Sequence, residues 1–370
     1  MESAPWYATE SAAEIPSPAL LVYPGRVRHN IAETLRIAGN ADRLRPHIKT
    51  HKTAEIIRMQ LEAGITRFKC ATVAEAELLA RCGAPDILLA YQPVGPDIDR
   101  MLDLQEAYPA LRFGALTDHA GTAGEIGERA AARPARFRLF LDLNVGMDRT
   151  GIPAGNEAAD LYRFISGHPA LEVGGFHAYD GHIRDSDFAQ RKAASDAAYA
   201  PVSRLREELE AEGLPVPEVI TGGSPTFPVH ALRSGVRLSP GTTVFWDANY
   251  ATRFPDIPLL PAAALLCRVV SRPAPGKICL DLGHKAVAPE MPFPRVSIPG
   301  LEGWTQTGQS EEHLVLEKPG ETGPPPGTVV YAIPMHICPT VCKYPRLLTI
   351  ENGKLTGSWE VAARDYRLSI

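Results

Sequence analysis

What this chain lacks narrows it quickly. No apolar run among its 370 residues approaches the roughly 20 needed to cross a bilayer, so no membrane span is expected. No block of like charge stands out: 38 Lys and Arg are interspersed with 43 Asp and Glu, which argues against nucleic acid or an anionic membrane as a partner. Residues 1–16 have neither a basic start nor an apolar core, so no secretory leader is read there. The cysteines at 70, 82, 267, 279, 338 and 342 are too few and too scattered for a disulfide framework. Reduced thiols and a cytoplasmic protein are expected. No dinucleotide fingerprint follows the first strand of the central region.

What is present is a regular alternation. Short apolar strands are read at 44–48, 67–71, 87–91, 112–116, 137–143, 171–179, 218–221 and 236–239. Amphipathic helices fill the gaps, among them 73–82 and the longest, 190–213. Eight β-α repeats in about 200 residues predict an α/β fold, a closed (β/α)8 TIM-type barrel, with an open doubly wound sheet as the alternative. From about residue 250 prolines become dense and helical periodicity disappears. Strands at 265–270, 278–282, 313–316, 328–333 and 347–350 predict a C-terminal β domain. The expected division is a barrel over 26–250 and a β domain over 1–25 plus 251–370, which takes the early strand 20–23 ahead of the helix 27–38.

Barrel chemistry sits at the C-terminal ends of the strands. The first strand ends in Arg45-Pro46-His47-Ile48-Lys49-Thr50-His51-Lys52. Residues two apart in a strand share a face, so Arg45, His47 and Lys49 are expected side by side. Three cations on one face suit an anion site, or a lysine whose amine is made nucleophilic and can form a Schiff base with a carbonyl. The plainer reading is a solvated basic strand end. The fifth strand exits through a polar stretch containing Arg149, and the sixth through His177-Ala178-Tyr179-Asp180-Gly181-His182. His177 and Tyr179 share a face there, with His182 just beyond. Gly222, Gly223, Ser224 and Thr226 follow strand seven; Gly241 and Thr242 follow strand eight. Singly, each loop reads as a turn. Together, at the two places where such barrels bind phosphate, they read as a phosphate cup. A phosphate cup opposite a strand-borne lysine is the layout of a pyridoxal phosphate site. In the β domain, His336 and Cys338 lie two apart after a strand and are expected to face one way. Imidazole and thiolate suit Zn²⁺, with water or substrate completing an open sphere. The plainer reading is a surface histidine beside a buried thiol.

These segments together resemble the fold-type III pyridoxal phosphate enzymes, whose barrel is like that of alanine racemase. Within them the resemblance is to the metal-activated D-threonine aldolases and D-serine dehydratases, and it spans residues 16–370. It implies that Lys49 carries the cofactor, with Lys52 in the following loop. It further implies His47 nearby, Arg149 at the cofactor's 3-hydroxyl, His177 against the pyridine ring with Tyr179 beside it, and a divalent metal, Zn or Mn, on His336 and Cys338. A homodimer and a small D-amino acid substrate are also implied. The aldolases of this branch pair histidine with aspartate and the dehydratases pair it with cysteine, so Cys338 points to dehydratase. The strand-six motif and the closing Ala-Arg-Asp-Tyr-Arg-Leu-Ser-Ile point to the aldolases, and that reading is preferred. His182 is then the base for the substrate's β-hydroxyl. The products are glycine and an aldehyde. The alternative is a dehydratase of D-serine or D-3-hydroxyaspartate, giving ammonia and a 2-oxo acid. A non-catalytic pyridoxal phosphate carrier is disfavoured, because such barrels lack the β domain.

Overall fold

The computed structural model describes residues 5–366 and 369; residues 1–4 and Arg367, Leu368 and Ile370 of the closing stretch lie outside the described residues. The chain forms two compact units, one built on Thr34–Lys52, Ile57–Gly241 and Asp365–Ile370, the other on Met1–Glu33, Thr53–Ile56 and Thr242–Arg364.

In the first unit the strands Arg67–Cys70, Asp86–Leu89, Arg112–Thr117, Phe137–Asn144, Leu171–Ala178, Glu218–Thr221 and Arg237–Leu238 follow one another in parallel. Helices such as Val73–Arg81 and Phe188–Ala211 connect them. The ring closes through residues 44–47, which make isolated parallel bridges, Leu44 to Leu238 and His47 to Lys69. The continuous strand expected at 44–48 is therefore corrected. Pro46 has no N–H for a ladder, although its carbonyl accepts from the Lys69 N–H at 2.9 Å. After it the chain tightens into a 3-10 turn, Ile48–Thr50, capped by the His47 ring.

Inward-facing residues fill the barrel in layers, as the strand period of two requires. At the base, Arg45 pairs with Asp86 at 2.8 Å and with Glu218 at 2.9 Å, and Arg138 also binds Asp86. Arg45 is completely buried. Removing one of its acids would leave a guanidinium uncompensated, a cost of about 3–5 kcal/mol. Above lies an apolar layer of Leu88, Leu116, Phe140 and Ile220. Arg45 thus belongs to the sealed base, and the expected sharing of one site by Arg45 and Lys49 is not found.

The second unit is a nine-stranded sheet. Its centre is Ala263–Ser271, antiparallel to Ala19–Val22, Lys277–Leu280 and Val329–Pro334. The early strand is thus in this sheet. Two short helices, Ala248–Arg253 and Ile337–Val341, interrupt a region where no helix was expected; six and five residues are too few to display a 3.6-residue period. The six cysteines are free thiols. No helix among the described residues is long and apolar enough to cross a membrane.

Candidate active site

The mouth of the barrel gathers the predicted groups around one aromatic ring. The Lys49 amine lies 5.8 Å from the centre of the Tyr179 ring, the Arg149 guanidinium 5.0 Å, and a further amine, that of Lys69, 5.8 Å. His177 is buried in the strand Leu171–Ala178. Its Nδ1 sits 2.7 Å from Asp142 and its Nε2 3.2 Å from the Lys69 amine. A carboxylate only accepts, so Nδ1 carries the proton and Nε2 accepts from Lys69. Burial, then the charge of Lys69, holds the His177 pKa below its ordinary value. Burial, then Lys49 and Lys69, holds His47 well below it. Lys69 is brought down to about 7, by burial first and the Lys49 charge second. Lys69 is a site residue that no sequence motif singles out. Its signal was available: a charged residue inside a barrel strand, where both faces are buried, needs a reason.

Lys52, the competing lysine, is committed elsewhere. Its amine binds Glu75, a buried carboxylate that also accepts from the Ala71 N–H at 2.6 Å. Thr72 caps the helix Val73–Arg81 by accepting from the Glu75 N–H. His182 is exposed beyond the strand, its ring against Gly146, and it makes no side-chain hydrogen bond among the described residues.

The two glycine loops are knit together. Gly223 N–H and Thr226 Oγ donate to Asp180 Oδ1 at 3.1 and 2.6 Å, Gly222 N–H donates to Ala178 O, and Gly241 N–H donates to Ser224 Oγ. Gly222 has φ +84°, and a Cβ there would come within 2.8 Å of His230, so both backbone and space demand glycine. Thr226, 1% exposed, shapes the loop rather than lining its surface. Ser239 Oγ is buried without a hydrogen-bond partner. It lies one residue past the strand Arg237–Leu238.

These features fit pyridoxal phosphate. Cations surround an aromatic ring, an orphaned hydroxyl waits in the wall, and a Cβ at Gly223 or Gly241 would press to 3.1 Å from Tyr179 or 3.3 Å from His47. The cradle is shaped for a flat anion at close range.

In the sheet unit, His336 and Cys338 meet by a route other than strand alternation. His336 is the N-cap of the helix Ile337–Val341, and Cys338 lies in its first turn. Burial opposes the charge on His336, but the bond to Cys338 and then Glu290 raise its pKa to about 9. Its Nδ1 is 2.5 Å from Glu290. Asp247, pushed up to about 6 by burial, holds the Ile337 and Tyr250 N–H groups. No cluster of three or more His, Cys, Asp or Glu side chains among the described residues forms a metal cage. The pair fits a divalent ion only as two ligands of an open sphere. A carboxylate on Nδ1, the usual orienting partner, leaves Nε2 for the ion.

Residues 22–248 match the alanine racemase N-terminal domain. The chain belongs to that family. Residues 262–350 match the serine dehydratase domain. The fold is accordingly alanine racemase-like: a parallel sheet curled into a barrel and a second unit made mostly of strands. Among curated members, the chain is 27% identical to the D-threonine aldolase of an Arthrobacter species, over 87% of this chain and 86% of that one. It is 28% identical to the 3-hydroxy-D-aspartate aldolase of Paracoccus denitrificans, over 95% and 93%. The crystal structure of D-threonine aldolase from Filomicrobium marinum superposes with a TM-score of 0.85 at 26% identity, covering 98% of each chain. These family members are pyridoxal phosphate-dependent lyases.

Proposed function

We propose that the protein is a pyridoxal phosphate-dependent lyase of the D-threonine aldolase kind, cleaving D-β-hydroxy amino acids to glycine and an aldehyde. The observation that carries the reading is the convergence of Lys49, Lys69 and Arg149 on the Tyr179 ring beside the His177–Asp142 pair. Full-length likeness to two aldolases supports the carbon–carbon lyase reading. When bound, pyridoxal phosphate supplies an electron sink for the pair released at Cα, and a divalent Zn or Mn ion supplies a Lewis acid for the substrate's β-hydroxyl.

The chain's own residues do the rest. Lys49 is the amine that holds the cofactor covalently. Arg149 balances negative charge on the ring oxygen. His177, neutral and fixed by Asp142 and Lys69, gives the ring a rigid wall. The loops 222–226 and 241–242 receive the phosphate, and His336 with Cys338 holds the metal. Exposed His182 takes the hydroxyl proton. The barrel residues, within 26–250, are assigned the cofactor, and residues 251–370 the metal.

One observation favours a dehydratase instead: the second member of the metal pair is a thiol. Parallel incubation with D-threonine, D-serine and D-3-hydroxyaspartate, reading glycine plus aldehyde against ammonia plus 2-oxo acid, decides between them. Ammonia as the dominant product would replace the aldolase reading, and turnover of none of the three would remove both.

A further inference from the structure

Asp180 is the most heavily engaged carboxylate at the barrel mouth. It is 3% exposed. Its Oδ1 accepts from Gly223 N–H at 3.1 Å and Thr226 Oγ at 2.6 Å; its Oδ2 accepts from His230 Nε2 at 2.8 Å and Ser195 Oγ at 3.5 Å. Burial alone would raise its pKa, yet His230, Thr226 and Gly223 together hold it below the ordinary carboxylate value. The tautomer of His230 follows from its other side. Arg233 lies 2.8 Å from Nδ1, and a guanidinium can only donate, so Nδ1 accepts and the proton is on Nε2. Arg233 in turn pairs with Asp196 at 2.6 Å on the surface.

A carboxylate beneath a loop meant for a phosphate is at first sight the wrong sign. Its hydrogen bonds resolve this. Asp180 takes up the inward donors of residues 223 and 226, which would otherwise point in competing directions. The first loop is thereby rigid, and through the Ser224–Gly241 bond at 3.1 Å so is the second. The packing of His230 beneath Gly222 adds a steric floor.

We propose that Asp180 and His230 are the positioning pair of the phosphate loops, setting how well the protein recognises the cofactor's phosphate without touching it. The inference rests on the pyridoxal phosphate reading above. Asp180→Asn is the sharpest variant, because the amide presents an N–H₂ where at least one of the four donors must then go unanswered. His230→Leu breaks the same link, whereas His230→Gln can donate to Asp180 and accept from Arg233.

The test compares the dissociation constants of pyridoxal phosphate and of pyridoxal, which lacks the phosphate, by absorbance titration of each cofactor-stripped protein. Circular dichroism checks the fold of each variant. Asp180→Asn and His230→Leu should lose about ten-fold or more in affinity for pyridoxal phosphate and change little for pyridoxal. His230→Gln should recover most of the loss. Equal losses for both ligands, or an unchanged ratio in folded variants, would overturn the proposal. A wild-type protein that binds neither compound overturns the cofactor reading and this proposal with it. A wild-type protein that binds both while the ratio stays fixed in the variants overturns this proposal alone.

Discussion

Lys69 donates to His177, across 3.2 Å, the hydrogen bond that leaves this imidazole without a free lone pair. The other ring nitrogen gives its proton to Asp142. A fully engaged neutral histidine is a poor base and a good wall. In the proposed reaction, proton transfer is assigned to a less constrained group, His182. His182→Ala is expected to lower kcat by roughly 10²–10⁴-fold with cofactor retained. His177→Ala is expected to weaken cofactor binding first. Steady-state kinetics and absorbance titration on both variants separate the roles, and a His182 variant with near-normal kcat ends its assignment.

Lys49 is expected to be the covalent attachment point. Borohydride treatment of the yellow protein followed by peptide mapping should place the label on Lys49. Lys49→Ala should lose the colour while keeping its thermal transition, because a half-buried lysine at the barrel mouth is not core packing. A label on Lys52, which is already paired with Glu75, would refute this.

The cofactor-free protein should gain stability with rising pH. Lys69 sits at about 7 in the folded chain against 10.5 ordinarily. Between those values the unfolded chain binds a proton that the folded one does not, so unfolding becomes harder as pH increases. Lys69→Met should remove that slope and raise the transition temperature near pH 7, by roughly 1–3 kcal/mol in stability terms. Calorimetry of both proteins at pH 7 and 9 checks it. A wild-type slope that survives the substitution would place its origin elsewhere.

Chelation should separate two functions. Removing a metal from His336 and Cys338 is expected to leave the bound cofactor's colour intact and to abolish cleavage, with recovery on adding Mn²⁺ or Zn²⁺. Thiolate favours Zn²⁺ over a hard ion. Full turnover after metal removal verified by elemental analysis would return the pair to a surface histidine beside a thiol.

Much of this was legible in the residues. Strand 218–221 stands where apolar patterning puts it, and the glycine loops follow the last two barrel strands. Other features were not. Pro46 interrupts the first strand, so alternation misplaces Arg45, although Lys49 does lie near Tyr179 at the mouth. Lys69 looks unremarkable until its strand is known to be buried on both faces. The partners of Asp180 include His230, 50 positions away, and no local period reports a contact of that range. His336 and Cys338 were joined for the wrong reason: a five-residue helix start, not strand pleating, brings them together.

The closure of the barrel through residues 44–47 has a mechanical side. Every other junction in the wall is a ladder; this one is a seam, stitched at Leu44 and His47 and pinned from within by Arg45. Lys49 hangs from the loose end of that seam. A cofactor bonded to Lys49 and gripped by loops following the neighbouring strands would staple the wall shut. Amide exchange should then be fastest at 44–50 in the empty barrel and slow there more than elsewhere once the cofactor is in place.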